Sequence, residues 1–244
     1  MTAASFRTFF LSVVTLFLLC APLGAATVPE RLVYRFSWTG IPVGTGTQEI
    51  RAEGNSHRIV ATARSNDWLS VFFPVDDRIE SVLDKEGGPF PGVTRLYHME
   101  TREGKHHRDR EIRFEGNGTA LFHDRRSGER LTLTIPPLTF DIYGGFYYLR
   151  SLPLEPGTSV FVNILDGKET QRLEIRVLRR ETLRTVLGTV PVIVIKPLVR
   201  SEGVFEQKGK VTIWLTDDAR RIPVRVEMKV VIGSVTATLA EKSP

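Results

Sequence analysis

The chain has 244 residues, 33 Lys and Arg against 28 Asp and Glu, a formal charge of +5, 41% hydrophobic side chains and a single cysteine. Acids and bases are interleaved along it, so it lacks the concentrated cationic stripe of a duplex-binding face, and no nucleic-acid partner is expected. One cysteine leaves no disulfide framework and no thiolate metal site, so stability has to come from an apolar core.

The first segment, MTAASFRTFFLSVVTLFLLCAPLGAATVPE, places one Arg before an unbroken apolar run from Phe9 to Leu19, followed by small residues. That is the order of a secretory signal peptide, here residues 1–25, with cleavage after Ala25 or Ala26. The run is shorter than the ~20 residues that cross a bilayer, and none like it recurs, so no mature transmembrane segment is expected. Cys20 raises the question of a lipid anchor. The position before an acylated cysteine has to be small, and here it is Leu19, so Cys20 reads as part of the apolar run. The remainder, 26–244, reads as one β-rich domain of an exported, periplasmic protein.

From Arg31 onward, short apolar and β-branched runs repeat with period two between close-spaced turns. Reversals such as Glu53-Gly-Asn-Ser56, Glu103-Gly-Lys105 and Arg126-Ser-Gly-Glu129 are too short for parallel crossovers, so neighbouring strands are antiparallel. Asn66-Asp-Trp-Leu-Ser-Val-Phe-Phe-Pro74 breaks the rhythm: a capping residue, an apolar cluster and a terminating Pro fit one or two helical turns. The segment Arg95 to Arg113 is strand-like but dense in Arg, Lys and His, which places it at a sheet edge or in a protruding hairpin.

A second break is FDIYGGFYYLR, residues 140–150. Asp141 can accept from the first free amides of a helix, Ile142, Phe146 and Leu149 fall on one stripe, and Pro153 follows its end. Gly144 and Gly145 each cost such a helix roughly 1 kcal/mol relative to Ala, which implies close approach to another element. Tyr143, Phe146, Tyr147 and Tyr148 spread over more than one face, so some of them face a cavity, a second element or solvent. The plainer reading is a lid helix closing the end of a barrel, with Asp141 as cap and Arg150 paired nearby, and the sharper one is an aromatic face lining an apolar pocket mouth. The loop 151–157 is the best internal boundary. Val190-Pro-Val-Ile-Val-Ile195 is apolar on both faces and belongs mid-sheet. Ile222, Val224, Val226, Met228, Val230 and Ile232 alternate with Arg225, Glu227 and Lys229, and Gly233 predicts a two-residue hairpin at Ile232-Gly-Ser-Val235. Together these runs predict an all-β fold, a curled antiparallel sheet (open barrel or sandwich-like) with one or two short helices.

Chemistry is sparse. There is no Gly-x-Ser-x-Gly elbow and no phosphate-cradling loop, and Gly44-Thr-Gly46 lacks a third glycine and a following helix. His98, His106, His107 and His123 are close in sequence, but consecutive His106 and His107 point to opposite faces of a strand and lie among cations, so no metal and no cofactor is expected. Asp76, Asp77, Glu80, Asp84, Asp141, Asp217 and Asp218 are the carboxylates that a glycan-cleaving pair would draw on.

Four segments together resemble the bacterial exported family catalogued as domain of unknown function 3108: Leu32-Val-Tyr-Arg-Phe-Ser-Trp-Thr-Gly-Ile-Pro-Val-Gly44, the Asp141 to Arg150 element, the Asp166-Gly-Lys168 turn, and Val211 to Val224. The resemblance implies an exported β-rich envelope domain and carries no activity or catalytic residue. Its architecture is also similar to that of envelope lipoprotein carriers, which curl a sheet around an apolar ligand. The resulting expectation is a non-enzymatic protein that holds a lipid or lipoprotein segment, with Trp68, Phe72, Phe73, Tyr143, Phe146, Tyr147 and Arg150 around the ligand and Asp141, Gly144 and Gly145 as structural supports. A carboxylate-dependent glycan hydrolase and a structural partner of another envelope protein are the alternatives.

Overall fold

The computed structural model describes residues 28–198 and 211–243. The expected leader, its cleavage site and Cys20 lie outside these residues.

Fifteen strands form one sheet among the described residues. The first half contains β1 (Glu30–Trp38), β2 (Ile41–Glu53), β3 (Ser56–Ser65), β4 (Asp76–Asp84), β5 (Val93–Glu103), β6 (His106–Phe114), β7 (Thr119–Asp124) and β8 (Arg130–Thr134). After β9 (Thr139–Phe140), the second half contains β10 (Ser159–Asp166), β11 (Glu169–Thr185), β12 (Gly188–Leu198), β13 (Val211–Thr216), β14 (Pro223–Lys229) and β15 (Ser234–Ser243). Two helices interrupt it, α1 (Asp67–Ser70) after β3 and α2 (Ile142–Ser151) after β9.

In space the order runs β8 down to β1, then β15 down to β9. Each half is a meander of antiparallel neighbours, and the halves join where β1 pairs with β15, Leu32 opposite Lys242 and Phe36 opposite Ala237. The short parallel pairing of β9 with β10 is the exception to the antiparallel rule. The sheet curls without closing, with β8 and β9 at its free ends. Two-residue turns connect β2 to β3, β5 to β6 and β10 to β11, as their Gly-containing sequences require.

Curling gives strand β12 a cover on both faces. Val192, Ile193, Val194 and Ile195 are all fully buried. Ile193 and Ile195 pack with Ile50, Ile59, Leu83 and α2. Val192 and Val194 pack with Leu32, Trp214, Val224 and Leu239. A third cluster, Tyr97, Ile112, Phe122 and Leu165, is where the β10–β11 end meets β5 to β7.

Three local expectations are corrected. The charged 95–113 hairpin is not at an edge: β5 lies between β4 and β6, and β6 between β5 and β7. Its outward charges pair across strands, His98 with Asp109 at 2.8 Å and Arg110 with Asp124 at 3.2 Å, while Tyr97 and Ile112 point inward and are buried. The last hairpin has a four-residue loop, Val230 to Gly233, because Lys229 pairs with Ser234. Neighbouring turns hold that loop: the Trp38 indole donates to the Ile232 carbonyl (2.8 Å) and the Thr39 amide to the Ser234 carbonyl (2.8 Å). The 66–74 helix is a single turn, and Asn66 makes no side-chain cap, donating instead to the Pro42 carbonyl at 3.2 Å.

Candidate functional site

Helix α2 fills the hollow of the curled sheet, and its placement begins with Asp141. One carboxylate oxygen accepts from the Tyr143 (2.9 Å) and Gly144 (3.1 Å) amides, capping the helix. The other accepts from the Ser81 (2.7 Å) and Thr94 (2.9 Å) hydroxyls on β4 and β5. Burial pushes this carboxyl above the usual carboxylate range, and the hydroxyl and amide donors pull against that rise. Gly144 and Gly145 then let the helix lie against the sheet. A Cβ on Gly144 would crowd Leu83 and Thr94, and one on Gly145 would run into Ile164 and Val162.

The far end of α2 is fixed by charge. Arg150 donates from Nη1 and Nη2 to the two carboxylate oxygens of Glu30, at 2.8 and 2.9 Å, and from Nη2 to the Arg220 carbonyl at 2.9 Å. Both side chains are completely buried. Burial opposes the charged guanidinium, but Glu30 outweighs it and raises the Arg150 pKa. The Tyr147 ring stacks 4.7 Å from the guanidinium, and its hydroxyl donates to Glu30 at 3.3 Å. Arg150 and Tyr147 are therefore closed off in a buried ion pair and do not reach a ligand mouth; the partner of Arg150 lies 120 positions away, with no local signal in the sequence.

Between the two anchors, two recesses flank the helix. One, about 290 Å³, is lined by Ile142, Leu149, Val162, Leu173, Ile175 and Ile213 among other apolar groups. The other, about 240 Å³, lies against β1 to β4, β14 and β15, with Tyr34, Phe36, Ala61, Ile79 and Ala237 in its walls and Thr47, Gln48, Thr62 and Asp77 supplying polar groups. Tyr143, Phe146 and Val226 line both. Each recess falls just short of the roughly 300 Å³ at which small-molecule pockets begin, and a ligand passing Phe146 would occupy both.

The polar groups of the second recess are few. Burial, followed by the nearby Asp141 and Asp77, pushes the Tyr143 hydroxyl up to about 12. Asp77 is itself raised, by burial and by Glu103 and Asp76, although it accepts the Arg102 amide at 2.9 Å. Gln48 Nε2 is buried with no partner at hydrogen-bond geometry, although Gln48 is near enough to Tyr147 to draw that hydroxyl's pKa downward against a larger rise from burial.

The sequence-predicted ligand residues thus separate into three groups. Tyr143 and Phe146 stand in the recesses; Tyr147 and Arg150 lie in the buried pair; Trp68, Phe72 and Phe73 lie outside on α1 and just beyond it, at 47%, 80% and 47% exposure. Sequence reading missed Val226, Ala237 and Ile213. Val226 and Ala237 belong to alternating strands and Ile213 to the continuous apolar run Ile213-Trp214-Leu215, and in both patterns a cavity wall and a packed core look alike. Of the acids considered for glycan cleavage, five are held by separate partners: Asp76 by Arg64, Glu80 by Arg58 and Arg78, Asp84 by Arg95 and Ser56, Asp217 by Arg180 and Arg221, Asp218 by Arg220; Asp77 accepts the Arg102 amide, and Asp141 caps α2. Among the described residues no cluster of three or more His, Cys, Asp or Glu is placed to hold a metal ion, and no helix is long and apolar enough to cross a membrane.

A curled, unclosed antiparallel sheet wrapped around one short helix defines a β-barrel-like protein. The chain belongs to the family described as protein of unknown function, DUF3108, whose model matches residues 33–240. Its structure is similar to that of a "beta-barrel-like protein of domain of unknown function DUF1849" from Brucella abortus, at 13% identity and a TM-score of 0.61, over 89% of this chain and 98% of that one. A DUF1089 family protein from Pseudomonas aeruginosa aligns at 14% identity over 73% of this chain and 87% of that one, with a TM-score of 0.37, too low to support an argument. No functionally curated protein matches.

Proposed function

We propose that this is an exported, non-enzymatic protein of the bacterial envelope that holds an apolar ligand, a lipid acyl chain or an apolar segment of a lipoprotein, in the cleft around Phe146. The observation carrying this reading is the pair of recesses that share Tyr143, Phe146 and Val226. Their walls come from both halves of the sheet, and the polar groups gather in one recess only, which suits a ligand with a long apolar body and a modest polar end. The period-two strands and the expected export signal agree with it, and Asp76, Glu80, Asp84, Asp217 and Asp218, each in its own ion pair, speak against a glycan-cleaving pair drawn from those five.

Fatty-acid binding tests this reading. The purified protein, delipidated, is titrated with a fluorescent fatty acid, and the material before delipidation is assayed for bound lipid by mass spectrometry. Saturable binding is expected, and V226W, which projects a large ring where both recesses meet, should abolish it while far-UV circular dichroism stays unchanged. Absence of probe binding and of co-purified lipid would end the proposal.

A further inference from the structure

One end of the curled sheet carries an unusual surface. The β1–β2 turn presents Trp38 and Ile41, at 40% and 52% exposure. The α1 segment presents Trp68, Val71, Phe72 and Phe73, and the β14–β15 loop presents Val231 and Ile232, at 85% and 72%. These three elements form one rim. The Trp38 indole donates to the Ile232 carbonyl, the Trp68 indole donates to the Pro42 carbonyl at 3.1 Å, and the Asn66 amide donates to the Val43 carbonyl at 2.8 Å. Turns at the opposite end, such as Gly54-Asn55 and Gly116-Asn117-Gly118, are polar, with Val186 and Leu138 as scattered exposed apolar side chains in the connections there. Aromatic and branched side chains held outward on hydrogen-bonded loops have no packing purpose in a water-surrounded monomer, and a contiguous patch of this kind marks a contact surface.

Charge beside the rim selects its partner. The β5–β6 turn is bound to α1: the Gly104 amide donates to the Pro74 carbonyl at 2.8 Å, and the Phe73 ring lies over Gly104 where a Cβ would collide. That turn and the strand ends beside it expose Arg102, Lys105, His106, His107 and Arg108, and the end of β14 adds Lys229. The acids nearby are Asp67, Asp76, Asp77 and Glu103, of which Asp76 is paired with Arg64 and Glu103 with Arg108, while Asp77 is partly buried and accepts the Arg102 amide; Arg102, Lys105 and Lys229 outnumber the acids left over. A net cationic fringe around indole and phenyl groups fits the headgroup region of an anionic bilayer, with aromatic rings at the interface and Lys and Arg against lipid phosphates. The cleft lies just beneath. Phe36, Val226 and Ala237 line the second recess two or three positions from the ends of their strands at this rim, about 10 Å at the rise of a β-strand.

We propose that this end of the sheet docks on an anionic phospholipid surface, with the side chains of Trp38, Trp68, Phe72, Val231 and Ile232 entering the interface. The cleft mouth then faces the bilayer. The inference stands apart from ligand binding in the cleft, and either can fail alone.

The test uses the three tryptophans, because Trp214 is buried while Trp38 and Trp68 are on the rim. The protein is mixed with vesicles of equal phosphatidylglycerol and phosphatidylcholine, or of phosphatidylcholine alone, with or without lipids brominated on the acyl chains. Co-sedimentation with the anionic vesicles and bromine quenching of tryptophan emission are expected, the quenching being largely lost in the W38F/W68F double variant. The F72D/V231D variant should partition at least tenfold more weakly, and K105Q about fivefold more weakly, matching the loss of one surface cation near anionic lipid. These positions are exposed, so circular dichroism should show the fold unchanged. Sedimentation without quenching would show that another segment makes the contact and overturn the proposal, as would binding indifferent to vesicle charge. A dimer in solution that F72D/V231D dissociates would also overturn it, since the rim would then be covered by a second copy. Retained fatty-acid binding in F72D/V231D would confirm that any loss on vesicles concerns the rim and not the cleft.

Discussion

The Glu30–Arg150 pair gives the sharpest test of how α2 is held. Replacing Glu30 with Ala leaves the guanidinium buried with the Arg220 carbonyl as its remaining acceptor; replacing Arg150 with Ala leaves the carboxylate with the Tyr147 hydroxyl. Breaking one side of a fully buried pair costs about 3–5 kcal/mol, a large share of the roughly 5–15 kcal/mol that stabilises a typical domain. By the same reasoning E30L/R150M, which removes both charges and keeps apolar volume, should be more stable than either single variant and close to the unmodified protein. Urea unfolding at pH 7, followed by tryptophan emission and far-UV circular dichroism, measures all four proteins. Raising the salt to about 0.5 M should barely change the cost, because charges away from solvent are weakly screened. The exposed pair Arg64–Asp76, with side chains 75% and 62% accessible, is the control, and R64A should cost less than about 1 kcal/mol. Single-variant costs below about 1 kcal/mol, or a double variant as damaged as the sum of its parts, would refute the argument.

Further outcomes follow from the same geometry. D141A should lose about 2 kcal/mol or more, combining a lost cap with the unpaired Ser81 and Thr94 hydroxyls, whereas D141N keeps an acceptor for the helix amides and should lose less. Because burial raises the folded-state pKa of Asp141, its protonated form favours folding at low pH, and that contribution declines as pH rises from the ordinary carboxylate value through the raised one. The stability of D141N relative to the unmodified protein, from urea midpoints at several pH values, should therefore improve across that window; a flat difference would disprove the link. G145A should destabilise by about 1–3 kcal/mol, since crowding against Ile164 exceeds the gain in helix propensity, and thermal melts check it. F146A should merge the two recesses and move fatty-acid preference toward longer chains, measured by competition with acids of increasing length. Tyr34, Tyr97, Tyr143 and Tyr147 all have raised pKa values, chiefly through burial. Absorbance at 295 nm near pH 10.5 should thus be lower for the folded than for the urea-unfolded chain, with stability falling as pH rises above the ordinary tyrosine value.

Much of the fold was legible because its determinants are local. The Gly-containing two-residue turns fix register by themselves, the double-sided apolar run at 190–195 announces a strand covered on both faces, and Asp141 announces its helix. What stayed hidden depends on residues far apart in the chain. Nothing near Arg95 to Arg113 states that β7 and β8 will continue the sheet, so its charge reads as an edge signal although it laces outward faces together. Gly233 points to a tight hairpin, but Trp38 and Thr39, nearly two hundred positions away, hold a wider loop. For the candidate site, the aromatic surplus of 140–150 was visible, but the division of its rings between cleft and buried ion pair depends on Glu30. The rings of 68–73 carry the same composition and face outward, because α1 is one turn long and sits on a rim with no sheet above it.

The strand order has a consequence for how the chain can be rewired. Every neighbouring pair in the sheet is also consecutive in sequence except β1 with β15, and the outermost strands β8 and β9 are joined by residues 135–138. Fusing residue 243 to residue 28 and cutting within 135–138 would yield a circular permutant whose strands are laid down from one free edge to the other in strict succession. The β1–β15 closure, the pairing with the largest sequence separation in the sheet, would become a hairpin; the contacts of α2 and β9 with β4 and β5 would become more distant in sequence but are far fewer, so contact order falls and this permutant should fold faster than the natural arrangement.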